Sequence, residues 1–259
     1  MDTSAEMNGE LRSETVECKK QPGYRSLGRQ RDGNFALSVG VPTACFTGEQ
    51  LRGLGEVIEQ YGTFGHLSTA QSVIIVGIPE EKLEAARLAV SDAGFDVRSI
   101  GKDVRQVKCC PGADYSPFGL QRTLPMAKLI EKTFRGLPTP AKFKISVSGC
   151  PNCCANTMMN EFGIHGTVDG WNVFIGGKMG PNPVVAQELA VGVESDDVPK
   201  YLAATARVFR EVAETNERLA ATIERLGFQT FRHMVMTALD APHDDLAELA
   251  RAARDQTAR

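Results

Sequence analysis

The sequence predicts an α+β protein: a small unit of strands and helices, a second unit that carries the chemistry, and a helical C-terminus. Three observations point there. Between residues 34 and 98, apolar residues switch repeatedly between strand and helix periodicity; two cysteine-bearing turns each follow a strand-like run; and Tyr201, Leu202, Phe209, Val212, Leu219, Ile223 and Leu226 recur at threes and fours, as a buried helix face requires. At 259 residues, 42% hydrophobic and 24% charged, the chain can build one sizeable core or two small domains sharing an interface. Its formal net charge of -3 offers no general attraction to nucleic acid or an anionic membrane, and Arg25, Arg29 and Arg31 read as a solvated loop. There is no run of about 18 apolar residues and no charged-then-apolar leader, so a cytoplasmic protein with reduced thiols is expected.

Residues 1–29 lack periodicity and are expected to be a disordered tail, with Cys18 a spare thiol. The first unit then spans 30–100. Phe35 to Val41 alternates as a strand that stops at Pro42. Thr47 and Gln50 form a capping-box pattern ahead of Leu51, Leu54, Val57 and Ile58, and Gly62 closes that helix. His66 to Thr69 and Ser72 to Val76 read as strands, the second apolar enough to be central. Pro79 opens a second helix whose one face carries Leu83, Ala86, Ala89 and Val90; Gly94 ends it, and Phe95 to Arg98 returns as a strand. Strand, helix, strand, strand, helix, strand is the split βαβ order of a ferredoxin-like half-domain.

In the second unit, 101–240, a strand over Val104 to Val107 is expected to deliver the first cysteine turn. A helix over about Leu124 to Arg135 and a strand over Phe143 to Val147, delivering the second turn, follow. Phe162 to Gly166 and Trp171 to Ile175 predict a hairpin around Asp169 and Gly170. Residues 183–240 read as helical until Pro242, and 241–259 as a polar helical tail.

Five of the seven cysteines lie in the two turns, Cys109-Cys110-Pro111-Gly112 and Gly149-Cys150-Pro151-Asn152-Cys153-Cys154. Thiols crowded beside Gly and Pro without a secretory signal read as thiolate ligands to a soft metal; a polynuclear iron-sulfur cluster needs about four, from separate segments. The pattern, with Ser116 six residues after Cys110, resembles that of the nitrite and sulfite reductases that carry siroheme and a 4Fe-4S cluster. Asn34 to Pro42, Thr47 with Gln50 and Leu51, Thr69 with Gln71, Pro140 to Lys144, and Gly176-Gly177 add to the resemblance, which spans about residues 30–240. It implies an α/β 4Fe-4S domain after the half-domain. Cys110, Ser116, Cys150 and Cys154 stand in the metal-ligand positions, with Cys154 bridging cluster and siroheme iron. Lys142 and Lys144 are implied as catalytic anion-binding groups; Cys154, Asn152, Gly176, Gly177, Lys178 and Thr69 as cofactor-binding positions. The implied function is reduction of a small oxyanion, sulfite before nitrite, with electrons from a ferredoxin or flavoprotein. Family members place siroheme between two such repeats and this sequence has one, which implies a homodimer or pairing with a homologous subunit.

Two departures are visible. Ser116 replaces a thiolate, leaving a serine-bound iron, an open iron, Cys109 or Cys153 to complete the cluster. Ser38, Gly40 and Ala70 stand where substrate-binding arginines are expected. Rival readings follow: a non-catalytic iron-sulfur or siroheme protein for electron transfer, sensing or tetrapyrrole handling; a reductase or oxygenase for a larger substrate; a structural zinc. Without the resemblance, Lys142 and Lys144 read as solvated charges on one strand face, Gly176-Gly177-Lys178 equally as a tight turn or a carboxylate cradle, and His165 and His233 as satisfied or surface histidines.

Overall fold

The computed structural model describes residues 27–98, 101–241 and 244–257. Cys18, Arg25 and Pro242 lie outside that range. In the first unit a five-stranded antiparallel sheet is built from β1 (Leu27–Arg29), β2 (Phe35–Gly40), β3 (Phe64–Leu67), β4 (Ser72–Ile78) and β5 (Asp96–Val97). β2 is flanked by β4 on one side and by both β1 and β5 on the other, with β3 outside β4. Residues 27–29, expected in the tail, pair with Phe35 to Leu37 and so are part of this sheet. Helices α1 (Gly48–Tyr61) and α2 (Leu83–Asp92) lay Leu54, Val57, Leu83, Ala86 and Val90 against Leu37, Val39, Ile75 and Ile78 in one core. The capping box forms as read, with Gln50 N–H on Thr47 Oγ1 at 3.1 Å and Thr47 N–H on Gln50 Oε1 at 2.9 Å. Pro79 precedes a single 3₁₀ turn over Glu80–Lys82, so α2 proper begins four residues later than Pro79 suggests.

The second unit has a mixed sheet, β6 (Lys108–Cys109), β7 (Ile145–Ser148), β8 (Phe162–Thr167), β9 (Gly170–Ile175) and β10 (Gln187–Val193), in the order β10-β9-β8-β7-β6. β6, β7 and β8 run parallel; β8, β9 and β10 are antiparallel. Helix α3 (Thr123–Phe134) buries Met126, Ala127, Ile130 and Phe134 in the larger core. Two expectations fail here. The strand expected over Val104 to Val107 shrinks to one bridge at Val104, and regular pairing starts only at Lys108, because Val107 N–H goes to the Glu131 carboxylate at 2.7 Å. The helix expected from residue 183 begins only at Val198. Gln187 to Val193, rich in helix-compatible residues, is drawn into the sheet against β9, with Gly192 at φ 62 taking a register shift: tertiary pairing overrides local propensity.

The rest of that stretch is three helices, α4 (Val198–Val212), α5 (Leu219–Leu226) and α6 (Phe228–Thr237), parted at Asn216 (φ 67) and Gly227 (φ 83). The polar tail is a docked helix, α7 (Asp244–Thr257): Leu246 and Ala250 enter the main core, and Arg254 caps α3 by donating to Arg135 O at 2.5 Å and Lys132 O at 3.1 Å.

Two glutamines sew the units together from opposite sides. Gln71, in the left-handed region at φ 55, donates Nε2–H to Cys109 O at 2.7 Å and accepts Cys109 N–H on Oε1 at 2.8 Å. Gln106 reciprocates, accepting Val41 N–H on Oε1 at 3.1 Å and donating to Val41 O. Each side-chain amide plays the part of a peptide group on a missing neighbouring strand. Gln106→Leu would leave the buried Val41 N–H unpaired, at about 1–3 kcal/mol, while Val41 O keeps the Ala44 N–H at 2.9 Å. The expected result in urea is a lower unfolding midpoint at unchanged slope; an unchanged midpoint would contradict it.

Candidate functional site

The two cysteine turns interlock through glycine. A Cβ at Gly149 would stand 2.7 Å from Gly112 Cα and 2.9 Å from Gln121 O, so only hydrogen fits between the loops. Leu120 and Gln121 both donate to Gly149 O, at 2.7 and 3.0 Å, Cys110 N–H reaches Val147 O, and Thr123 Oγ1 donates to Cys110 O at 2.5 Å. The Gly149 N–H points at Cys110 Sγ, 3.1 Å away. A peptide N–H on sulfur stabilises the thiolate form and, in a cluster, raises its potential. The first turn thus receives a hydrogen bond from the residue that precedes Cys150.

The remaining thiols diverge. Cys109 is buried on the opposite side of its strand, donates to Thr43 O at 3.2 Å, and burial pushes its thiol up to about 12. Cys153, at φ 57, turns its sulfur to Thr157 Oγ1 at 2.9 Å, whereas Cys154 is exposed. Ser116 is half-buried and its Oγ accepts Phe118 N–H at 3.4 Å. No three His, Cys, Asp or Glu side chains among the described residues already form a cation cage. What the fold brings together is the pair of loops that carry Cys110 and Cys150, with Cys154 at the open end of the second. Soft donors on interlocked loops, one already receiving an N–H, fit an iron-sulfur cluster.

Beside the loops lies a small cavity lined by Thr69, Ala70, Arg98, Gln106, Lys108 and Lys144, among others. Lys108 follows Val107 at the start of β6 and is only 5% exposed. Burial, then the Lys144 ammonium and the Arg98 guanidinium, bring it down to about 8. Burial also lowers Lys144 and Arg98. Lys142, two residues before Lys144 and like it ahead of β7, is exposed and is not among the lining residues. Lys144 is held by its backbone: its N–H goes to the fully buried Glu161, which is paired in turn with Arg218 at the start of α5.

The other sequence-derived positions scatter. Asn152 is exposed on the second turn. Gly176 and Lys178 donate their N–H groups to Glu161 O and Val184 O, at 3.0 and 2.8 Å. A Cβ at Gly177 would meet Met158 O and Asn160 O at 2.6 Å, so close packing already accounts for that glycine. His165 stacks at 4.5 Å on Phe174, and its Nδ1 has no partner among the described residues. Sequence reasoning missed Arg98, Lys108, Glu161 and Arg218 as site residues. The one available signal was Lys108, a lone charge in an otherwise apolar run between Val107 and Cys110.

Comparison with known proteins agrees with this construction. The family described as the nitrite and sulphite reductase 4Fe-4S domain matches residues 100–242, and the nitrite/sulfite reductase ferredoxin-like half domain matches 28–90. An assimilatory-type sulfite reductase of Nitratidesulfovibrio vulgaris is 28% identical over 210 residues, 80% of this chain and 95% of that protein. A nitrite reductase [NAD(P)H] of Bacillus subtilis is 28% identical over 76% of this chain, which spans only 24% of its length. Among solved structures, the Mycobacterium tuberculosis NirA protein superposes with a TM-score of 0.70 at 23% identity, over 78% of this chain and 40% of that one. Dissimilatory sulfite reductase I superposes at 0.71 and 15% identity, over 78% and 69%; at such identities these two speak for the fold. With both family models matched in order, and the cysteine loops of the second interlocked, this chain belongs to the nitrite and sulphite reductase 4Fe-4S domain family.

Proposed function

We propose that the protein is an oxidoreductase that reduces a small oxyanion, sulfite before nitrite, at a coupled 4Fe-4S cluster and siroheme. The observation that carries this is the Gly149 N–H on Cys110 Sγ, which ties the two thiolate loops to each other beside a cationic cavity. Sulfite comes first because the assimilatory-type sulfite reductase is matched along nearly its whole length. Cys110, Cys150 and Cys154 would hold the cluster, with Ser116 or an open position at the last iron, and Cys154 would face the siroheme iron. When bound, the two groups supply single electrons to an iron that the oxyanion can reach. The chain's own part is electrostatic. Lys144, locked at its N–H by Glu161, holds positive charge at the cavity wall, and Lys142 adds charge outside it. Every oxygen that leaves as water needs protons, and a buried ammonium is a group that can give one.

A ferredoxin or flavoprotein would deliver the electrons, and a second copy or a homologous subunit would enclose the macrocycle. The exposed Tyr115, Phe118 and Leu120 on the first cysteine turn favour such a covering partner. Protein purified without oxygen from cells that make siroheme is expected to show siroheme bands and to reduce sulfite, then nitrite, with a reduced viologen. A colourless, iron-free product overturns the reading, as does a siroheme spectrum with neither activity. Ala70→Arg, which adds a guanidinium at the cavity wall, is expected to raise sulfite turnover several-fold; no change would mean that Ala70 does not face the substrate.

A further inference from the structure

We propose that Arg98 and Lys108 are the anion-binding residues of this chain, forming with Lys144 a three-cation site for a small inorganic oxyanion. The proposal rests on the reading above and names its binding groups. Ser38, Gly40 and Ala70 bring no charge to this region. A side chain at position 40 would crowd the seam, because a Cβ there would meet Gln106 Oε1 at 2.9 Å and Asp96 O at 3.3 Å. The adjacent strand supplies the charge instead. Arg98 N–H bonds Ser38 O at 2.7 Å, and Arg98 Cβ lies 3.8 Å from where a Cβ of residue 40 would be. Its guanidinium donates to Ser72 Oγ at 3.2 Å and leaves a buried Nε–H without a partner among the described residues.

The carboxylates that favour these charges, Glu161 for Lys108 and Lys144, and Glu131 and Asp103 for Arg98, act at a distance. The acids nearby are each paired elsewhere, Asp103 with Arg105, Glu131 with Arg135 and Glu161 with Arg218, and no ion pair joins a carboxylate to Arg98, Lys108 or Lys144 among the described residues. Three cations crowded around a cavity, two of them substantially buried, repel one another unless an anion enters. The cavity, about 20 Å³ as it stands, holds little more than a water-sized group, so even a small inorganic ion requires the wall to give. Met179, exposed and unbranched, is the part of the wall that can swing aside.

The same chemistry could come from a free oxyanion or from a carboxylate of the macrocycle, and the test separates them. Sulfite and sulfate are titrated calorimetrically, without oxygen, into wild-type protein, Arg98→Gln, Lys108→Gln and Arg98→Lys, and the siroheme and cluster absorbance of each is recorded. Each Gln variant is expected to weaken sulfite binding about tenfold or more, with Arg98→Lys retaining most of it and with pigment content and melting temperature as in wild type. Unchanged affinity in both Gln variants overturns the proposal, and so does a loss of pigment with sulfite affinity intact, which would assign the cations to the macrocycle. Should the wild-type protein carry no pigment, the proposed function falls, while the titration of the same four proteins still decides whether Arg98 and Lys108 bind the anion.

Discussion

Arg218→Met is expected to destabilise the protein by about 3–5 kcal/mol, on the order of 10 °C in melting temperature for a domain of this size. The Glu161 side chain is 1% exposed and Arg218 is its salt-bridge partner, with Nε donating to Oε1 at 2.6 Å; the other oxygen accepts Lys144 N–H at 3.0 Å. Losing the guanidinium strands a carboxylate in the core. Glu161→Gln added to Arg218→Met keeps an acceptor for Lys144 and removes the charge, so the double variant should recover roughly half of the loss. A single-variant cost below about 1 kcal/mol, or a double variant less stable than the single one, would show that the pair is not what holds this corner. Sulfite affinity should also fall in Arg218→Met, because the uncompensated carboxylate then competes with the cavity for the Lys144 ammonium.

The second large effect is expected at Gly149→Ala. The added methyl would meet Gly112 Cα and Gln121 O, backbone on both sides, so the loops must separate. Overpacking alone costs about 1–3 kcal/mol. The greater consequence is loss of the N–H on Cys110 Sγ and of register between Cys110 and Cys150, and iron content and visible absorbance after anaerobic purification should drop severalfold. Gly55→Ala is the control, a helix glycine whose Cβ would meet nothing within 4 Å. If Gly149→Ala protein carries a full complement of iron, the loops tolerate separation and the interlock is not what gathers the thiolates.

What could be read from the sequence was what neighbours in sequence decide. Helix α1 was legible because Thr47 and Gln50 cap each other within one turn, and the cysteine loops because residue type and spacing carry their chemistry. β6 was not. Its start depends on Glu131, 24 residues later, taking the Val107 N–H, a competition that no local pattern records. β10 was hidden because Gln, Glu, Leu and Ala suit a helix, and only the presence of β9 as a partner makes them a strand. β1 was missed for a similar reason, since Leu27 to Arg29 is a strand only by pairing with β2. Arg98 and Lys108 were invisible as a pair: one ends the first unit, the other begins β6, and only the seam between the sheets brings their charges together.

The reciprocal glutamines at that seam bear on how the chain assembles. Every residue of the smaller core lies between Leu37 and Phe95, so that core can close as the polypeptide emerges, before either cysteine turn exists. Val41 then waits with its amide open until Gln106 is made, and Cys109 in turn finds Gln71 already in place. The early unit is therefore a template whose unfinished rim seats the start of the thiol-bearing segment, so the first ligand, Cys110, is positioned by residues that fold ahead of it.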